Sequence, residues 1–155
     1  MKRFLMVMGA LSVLFFTVVG GAPGYVGYHA YTTADENKQA AVNAGRILSE
    51  DWVPHGKQDV LAVGLVQSAQ TPSGKAALLH MAQLGKLVDV RKVSQTGYHM
   101  STDEGTRATI EFEAKFTHGE SKVRVTLKKV GDVMKMYGVN TSEIKFHRSK
   151  KIANT

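Results

Sequence analysis

The sequence predicts an α+β domain, with N-terminal helices packed on a bent antiparallel sheet of about four strands, carried behind an apolar leader. Three observations support this. Apolar spacing is helical up to about Gly85 and then changes to strict alternation. Two alternating runs, 107–116 and 121–129, are joined by a short loop, and Gly131-Asp132 marks a further turn directly after them. At the start, Lys2 and Arg3 precede the apolar run Phe4 to Val19, and no Asp, Glu, Lys or Arg follows until Asp35.

The leader directs the chain to or through a membrane, because its apolar side chains favour hydrocarbon while the two cations stay in the cytoplasmic headgroup layer. Residues 1–32 are therefore a signal peptide or an N-terminal membrane anchor. Val19-Gly20-Gly21 before Ala22 could serve as a cleavage site. Extension to about Val26 gives the roughly 20 residues that span a bilayer, with Tyr25, Tyr28 and Tyr31 at the outer interface. The anchor is the preferred reading. It places the rest of the chain outside the cytoplasm, facing the periplasm or the extracellular side; a cleaved leader would make the protein secreted.

Residues 33–143 are long enough for one small core and too short for two. The chain has no cysteine. Disulfides, a lipoprotein anchor and cysteine-type zinc sites are thereby excluded, and packing alone must hold the domain.

Thr33-Ala34-Asp35-Glu36 reads as a capping box opening a helix from about Ala34 to Glu50. Ala41, Ala44, Ile47 and Leu48 form its stripe, and Trp52-Val53-Pro54 ends it. Asp59 to Gln67 fits a short helix or a strand equally, and the helix is preferred. A third helix is capped by Thr71, takes Pro72 at its first position and stops at Gly85, with Ala76, Leu79, Ala82 and Leu84 expected against the sheet.

Leu87 to Val93 is the first strand, followed by a polar, turn-rich stretch from Thr96 to Gly105. In the next run Ala108, Ile110, Phe112, Ala114 and Phe116 alternate with charged and polar residues, as do Val123, Val125 and Leu127 in the one after. A four-residue loop, Thr117 to Glu120, would pair Phe112 with Val125 inside and Glu113 with Arg124 outside. Glycine at the first central position of Gly131-Asp132 suits a type II′ turn, which sets Met136 opposite Leu127. Val133, Tyr137 and Val139 would then share the outer face with Arg124. Apolar residues on an otherwise polar face mark it as covered, by the chain's own segments or by a partner, so these four are the candidate interaction face.

The run Leu84-Gly85-Lys86-Leu87, the strands 107–116 and 121–129, and the closing Gly131-Asp132-Val133-Met134-Lys135-Met136-Tyr137-Gly138-Val139 together resemble the small exported cystatin-like or NTF2-like domains of bacteria. Met134 stands where that pattern often carries tryptophan. The resemblance implies helices first and a strongly bent sheet after them. Known members include assembly and secretion components, ligand binders and isomerase-like enzymes, so the fold does not select a function.

No catalytic constellation stands out. His29, His55, His80, His99, His118 and His147 fall singly, without metal-ligand spacing, and no cofactor is called for. None of the inward positions on the two alternating strands titrates; Asp89, Arg91, Tyr98 and His99 are the remaining inward candidates, with an exposed or paired placement favoured. Without Lys2 and Arg3, the 20 cations fall to 18 against 13 carboxylates, a net of +5. Lys145, Arg148, Lys150 and Lys151 gather in a basic tail, 144–155, suited to an anionic membrane surface or an acidic partner. Nucleic acid is disfavoured by export and by the lack of aromatics among the basic residues. The expected function is a non-enzymatic, extracytoplasmic interaction or assembly module of the cell envelope, working on an envelope protein or a second copy. The alternative is a small-ligand binder or isomerase-like enzyme using the sheet cavity.

Overall fold

A computed structural model describes residues 33–148. The segment expected to be a leader, 1–32, and the part of the expected tail beyond Arg148 lie outside the described residues. The chain divides into two compact units, 1–36 and 37–155, and packing is described within the second.

Helix α1 spans residues 33–49, α2 Val63–Ser68 and α3 Pro72–Ala82; strands β1 Leu87–Ser101, β2 Gly105–Phe116, β3 Gly119–Val130 and β4 Val133–Phe146 follow. The strands form one antiparallel meander in the order β1-β2-β3-β4, and the class is the α+β arrangement that the change of period implied. Thr33 is the first described residue and is helical. At the other end Trp52 takes a left-handed conformation (φ 56°) with its amide on the Leu48 carbonyl at 2.8 Å, which stops the helix. Its indole then donates to the Gly85 carbonyl at 2.9 Å and packs near Phe116.

The core lies between α1 and one face of the sheet. Ala41, Ala44 and Leu48 meet Ile110, Phe112, Ala114, Phe116, Val123, Val125, Leu127 and Met136, all buried. The small stripe of α1 lets the helix lie close: a Cβ at Gly45 would sit 3.7 Å from Phe112 Cζ. Its buried polar groups are partnered, Asn37 Nδ2 donating to Gln95 Oε1 and the Ser49 hydroxyl accepting from the Leu87 amide, both at 3.0 Å.

The segment 59–67 combines the two conformations its periodicity allowed. Leu61 bridges to Met136, with the Ala62 amide on the Met136 carbonyl and the Met136 amide on the Val60 carbonyl, each at 2.9 Å, and α2 starts immediately afterwards. Thr71 caps α3 by accepting from the Gly74 amide at 3.1 Å. The face of α3 differs from expectation. Leu79 is 70% exposed and Ala76 is exposed, while Met81 and Leu84 carry the burial.

Gly85 (φ 80°) turns the chain into β1, and a Cβ there would fall 1.9 Å from Thr117 Oγ1. The tight approach exists because the Thr117 and His118 amides donate to the Lys86 and Leu84 carbonyls at 3.0 and 2.9 Å. These bonds shorten the β2–β3 connection to Thr117-His118. Phe112 therefore pairs with Val123, not Val125, and Glu113 with Lys122, not Arg124. The slip is two residues, so every side chain keeps its expected face. The second turn is as expected: Gly131 has φ 61° and Leu127 pairs with Met136.

Two strands run further than the sequence suggested. The polar stretch after Thr96 continues β1 to Ser101, held by backbone pairing to 105–109, with irregularities after Leu87, Arg91 and Gln95. β4 continues to Phe146, so Lys145 belongs to a strand opposite Glu120 rather than to a tail.

Candidate functional site

The space between α1 and the sheet is filled. The void left among Gly45, Leu48, Trp52, Leu87, Phe112 and their neighbours is about 10 Å³, at or below what one water requires. Asp89 and Arg91 pair with each other on the surface at 3.0 Å, and His99 is exposed. Tyr98 is half-exposed at the open end of the core side, opposite Ala108. Among the described residues no group of three or more His, Asp or Glu is gathered in a way that could hold a metal ion.

The functional residues therefore have to be sought on the outer face, whose side chains follow from the register as rows across all four strands. At one end lie Asp89, Lys115, Glu120 and Lys145, then Arg91, Glu113, Lys122 and Ser142, then Ser94, Glu111, Arg124 and Asn140. These rows alternate in sign and are knit by ion pairs: Arg124 Nη2 to Glu111 and Lys92 to Glu113 at 2.6 and 2.7 Å. Shallow depressions of about 270 and 310 Å³ lie among them, both touching Lys122 and Glu143.

The other end is different. A row of small residues, Gly97, Thr109, Thr126 and Gly138, borders a row in which His99 is followed by three cations, Arg107, Lys128 and Lys135. Beside them stands Tyr137. The pairing skips from Thr126 with Gly138 to Leu127 with Met136, so Tyr137 is the extra residue of a β-bulge and has no direct cross-strand partner. The Arg107 guanidinium and the Lys128 ammonium each lie 5.5 Å from its ring centroid, a distance at which the ring face attracts cations. On the ring's other edge α2 closes in, with Gly64 placed so that a Cβ would lie 3.1 Å from Tyr137 Cε2. Lys135 reaches the Gln58 carbonyl. Tyr137 remains 41% exposed and Val63 on α2 62% exposed. Arg107 pairs with Glu104 at 3.5 Å, yet its Nε is a buried nitrogen without a hydrogen-bond partner.

The four residues expected to form one face are thus divided. Tyr137 is at the centre of this cationic platform, and Val133 is exposed at the hairpin tip opposite Val130. Arg124 lies nearer the sheet centre, bound to Glu111. Val139 corrects the expectation: the bulge reverses the alternation after Tyr137, so Val139 pairs with Val125 and packs against the core. Of the basic tail, Lys145 is in β4, Arg148 follows it, and Lys150 and Lys151 lie outside the described residues. Arg107 and Lys128 were legible as outward positions, but the four-residue loop set Lys128 opposite Thr109 and so concealed their pairing. The approach of Gly64 had no local signal.

Among the described residues no helix is long and apolar enough to cross a membrane. No protein-family model, curated protein or solved structure matches the chain.

Proposed function

We propose that the chain is a non-catalytic protein-interaction or assembly module of the cell envelope, of the exported cystatin-like or NTF2-like type, tethered or released by its N-terminal segment. The observation that carries this reading is the Tyr137 platform: an aromatic ring, raised by a bulge and flanked by Arg107 and Lys128, on a face opposite a filled core. Tyrosine and arginine are the residue types that most often dominate binding energy at protein interfaces. Export is supported by the leader, Lys2-Arg3 and then Phe4 to Val19. An isomerase-like or ligand-binding use of the interior would need a concave pocket of roughly 300 Å³ or more with convergent polar groups. The interior void is about 10 Å³.

The test is a Tyr137→Ala, Arg107→Ala double variant of the full chain with an unchanged melting temperature, compared with the parent by crosslinking in the native envelope and by oligomeric mass. Loss of a specific crosslink or of a higher oligomer is the expected result. A variant that keeps every crosslink and the same mass contradicts the reading.

A further inference from the structure

The platform has a charge character of its own, which bears on what it would touch. Resting on the module reading above, we propose that the partner presents a carboxylate-rich polypeptide segment, and that Glu104 occupies the Arg107 site until that segment displaces it.

Three features converge on this. Arg107 is held by its surroundings rather than satisfied by them: the guanidinium lies over Tyr137 with Nε buried and unpartnered, and meets Glu104 only through Nη2 at 3.5 Å, long for a charge-assisted bond. An arginine offers a planar fork suited to a bidentate carboxylate, and here Glu104 meets it by a single long contact to Nη2. Lys128 flanks the same ring and Lys135 continues the row, so successive carboxylates of an extended chain would meet successive cations across β2, β3 and β4. The neighbouring row, Gly97, Thr109, Thr126 and Gly138, has little side-chain bulk and leaves room for a backbone to lie beside the cations.

An anionic membrane is the competing occupant, and the surroundings disfavour it. The β1–β2 and β3–β4 turns at this end carry Asp103, Glu104 and Asp132, so the cations form a single row bordered by acids, which one extended segment can follow and a broad anionic plane cannot meet without also facing those acids. Beyond the small-residue row the face alternates in sign, with Glu111 and Glu113 among its cations. That pattern suits a protein surface better than a uniformly negative plane. Glu104, three residues before Arg107 and on the adjoining turn, offers the same group as the partner and so competes with it.

The experiment uses the full chain in uncharged detergent, with a short oligo-glutamate peptide as probe and nitrogen–proton NMR as readout, arginine Nε–H signals included. Perturbations should centre on Arg107, Lys128, Tyr137 and Gly64, and affinity should fall as salt is raised. Arg107→Gln should weaken binding about tenfold and Tyr137→Leu about fivefold. Glu104→Gln should strengthen it about threefold, a gain that a merely structural pair would not give and that does not depend on Arg107→Gln folding. Lys115→Gln, an equal charge loss at the other end of the same face, should leave it unchanged. The proposal is overturned if perturbations are spread over all basic residues, if Lys115→Gln weakens binding as much as Arg107→Gln, if Glu104→Gln gives no gain, or if phosphatidylglycerol vesicles perturb these signals and the peptide does not. Failure of the peptide alongside Tyr137-dependent envelope crosslinks would remove the acidic partner and leave the module reading standing.

Discussion

Replacing Phe112 with alanine probes the packing from which the fold is built. The ring is 2% exposed on the inward face of β2, beneath Gly45 and Leu48 of α1 and beside Leu87, Phe116 and Val123, with only about 10 Å³ of unfilled space around it. A buried phenyl ring hides roughly 150 Å² or more of apolar surface, worth about 4 kcal/mol at about 25 cal/mol per Å², of which an alanine methyl recovers about 1 kcal/mol. The vacated volume, on the order of 80 Å³, adds about 2 kcal/mol at roughly 24 cal/mol per Å³ if the walls stay in place. Gly45 has no side chain to obstruct α1 from settling, so part of that term is relieved. The expected loss is about 3 to 5 kcal/mol, a large share of the roughly 5 to 15 kcal/mol that holds a domain together. Urea unfolding followed by far-ultraviolet circular dichroism measures it, with Lys115→Ala on the outward face of the same strand as control, expected within about 0.5 kcal/mol. Alternation alone would make Glu111→Ala an equally neutral control. It is not one, because Glu111 is only 16% exposed and lies between Arg124 and Lys122. Equal losses at Phe112 and Lys115, or less than about 1 kcal/mol at Phe112, would refute the face assignment.

Other positions give sharper local tests. Gly85→Ala should cost more than about 2 kcal/mol, since it adds a left-handed penalty to a clash 1.9 Å from Thr117 Oγ1, whereas Gly131→Ala, with open space around it, should cost about 1 kcal/mol; paired urea melts compare them. Thr71→Ala removes the acceptor for the Gly74 amide and should lower stability by about 1 kcal/mol, with faster amide exchange at the start of α3. The Lys57 ammonium, and then the Val53 amide, hold the Asp51 carboxyl below its ordinary value of 3.8. A lowered carboxyl stabilises the fold above its unfolded pKa and loses that contribution as pH falls through the folded one, so the turn after α1 should loosen only in acid. A proton-NMR titration of Asp51 with a midpoint at or above 3.8 would contradict this.

The parts of the fold that were legible are those fixed by local period. Faces of β2 and β3 survive a two-residue slip because side chains repeat every two residues, and for the same reason alternation could not choose the register. That choice was made by the Leu84 and Lys86 carbonyls, about thirty residues away in sequence, which draw in the Thr117-His118 turn. Polar residues hid the far half of β1, because an edge strand beyond the helix needs backbone pairing and not apolar side chains. The candidate site was half legible. Tyr137 could be placed outward from the turn, but the bulge at that residue reverses the parity beyond it and carries Val139 into the core. Whether a strand bulges depends on both partners, and so does not show in one strand's pattern.

Hydrogen exchange of the full chain, compared between the native cell fraction that contains it and the purified protein, addresses the working surface most directly. A module that acts through the Tyr137 platform should gain protection in the native fraction at Gly64, around Arg107, and from Lys128 to Tyr137, with 44–53 and 110–116 unchanged. Protection gained instead within those two segments, where α1 meets the sheet, or no difference between the two preparations, would contradict it.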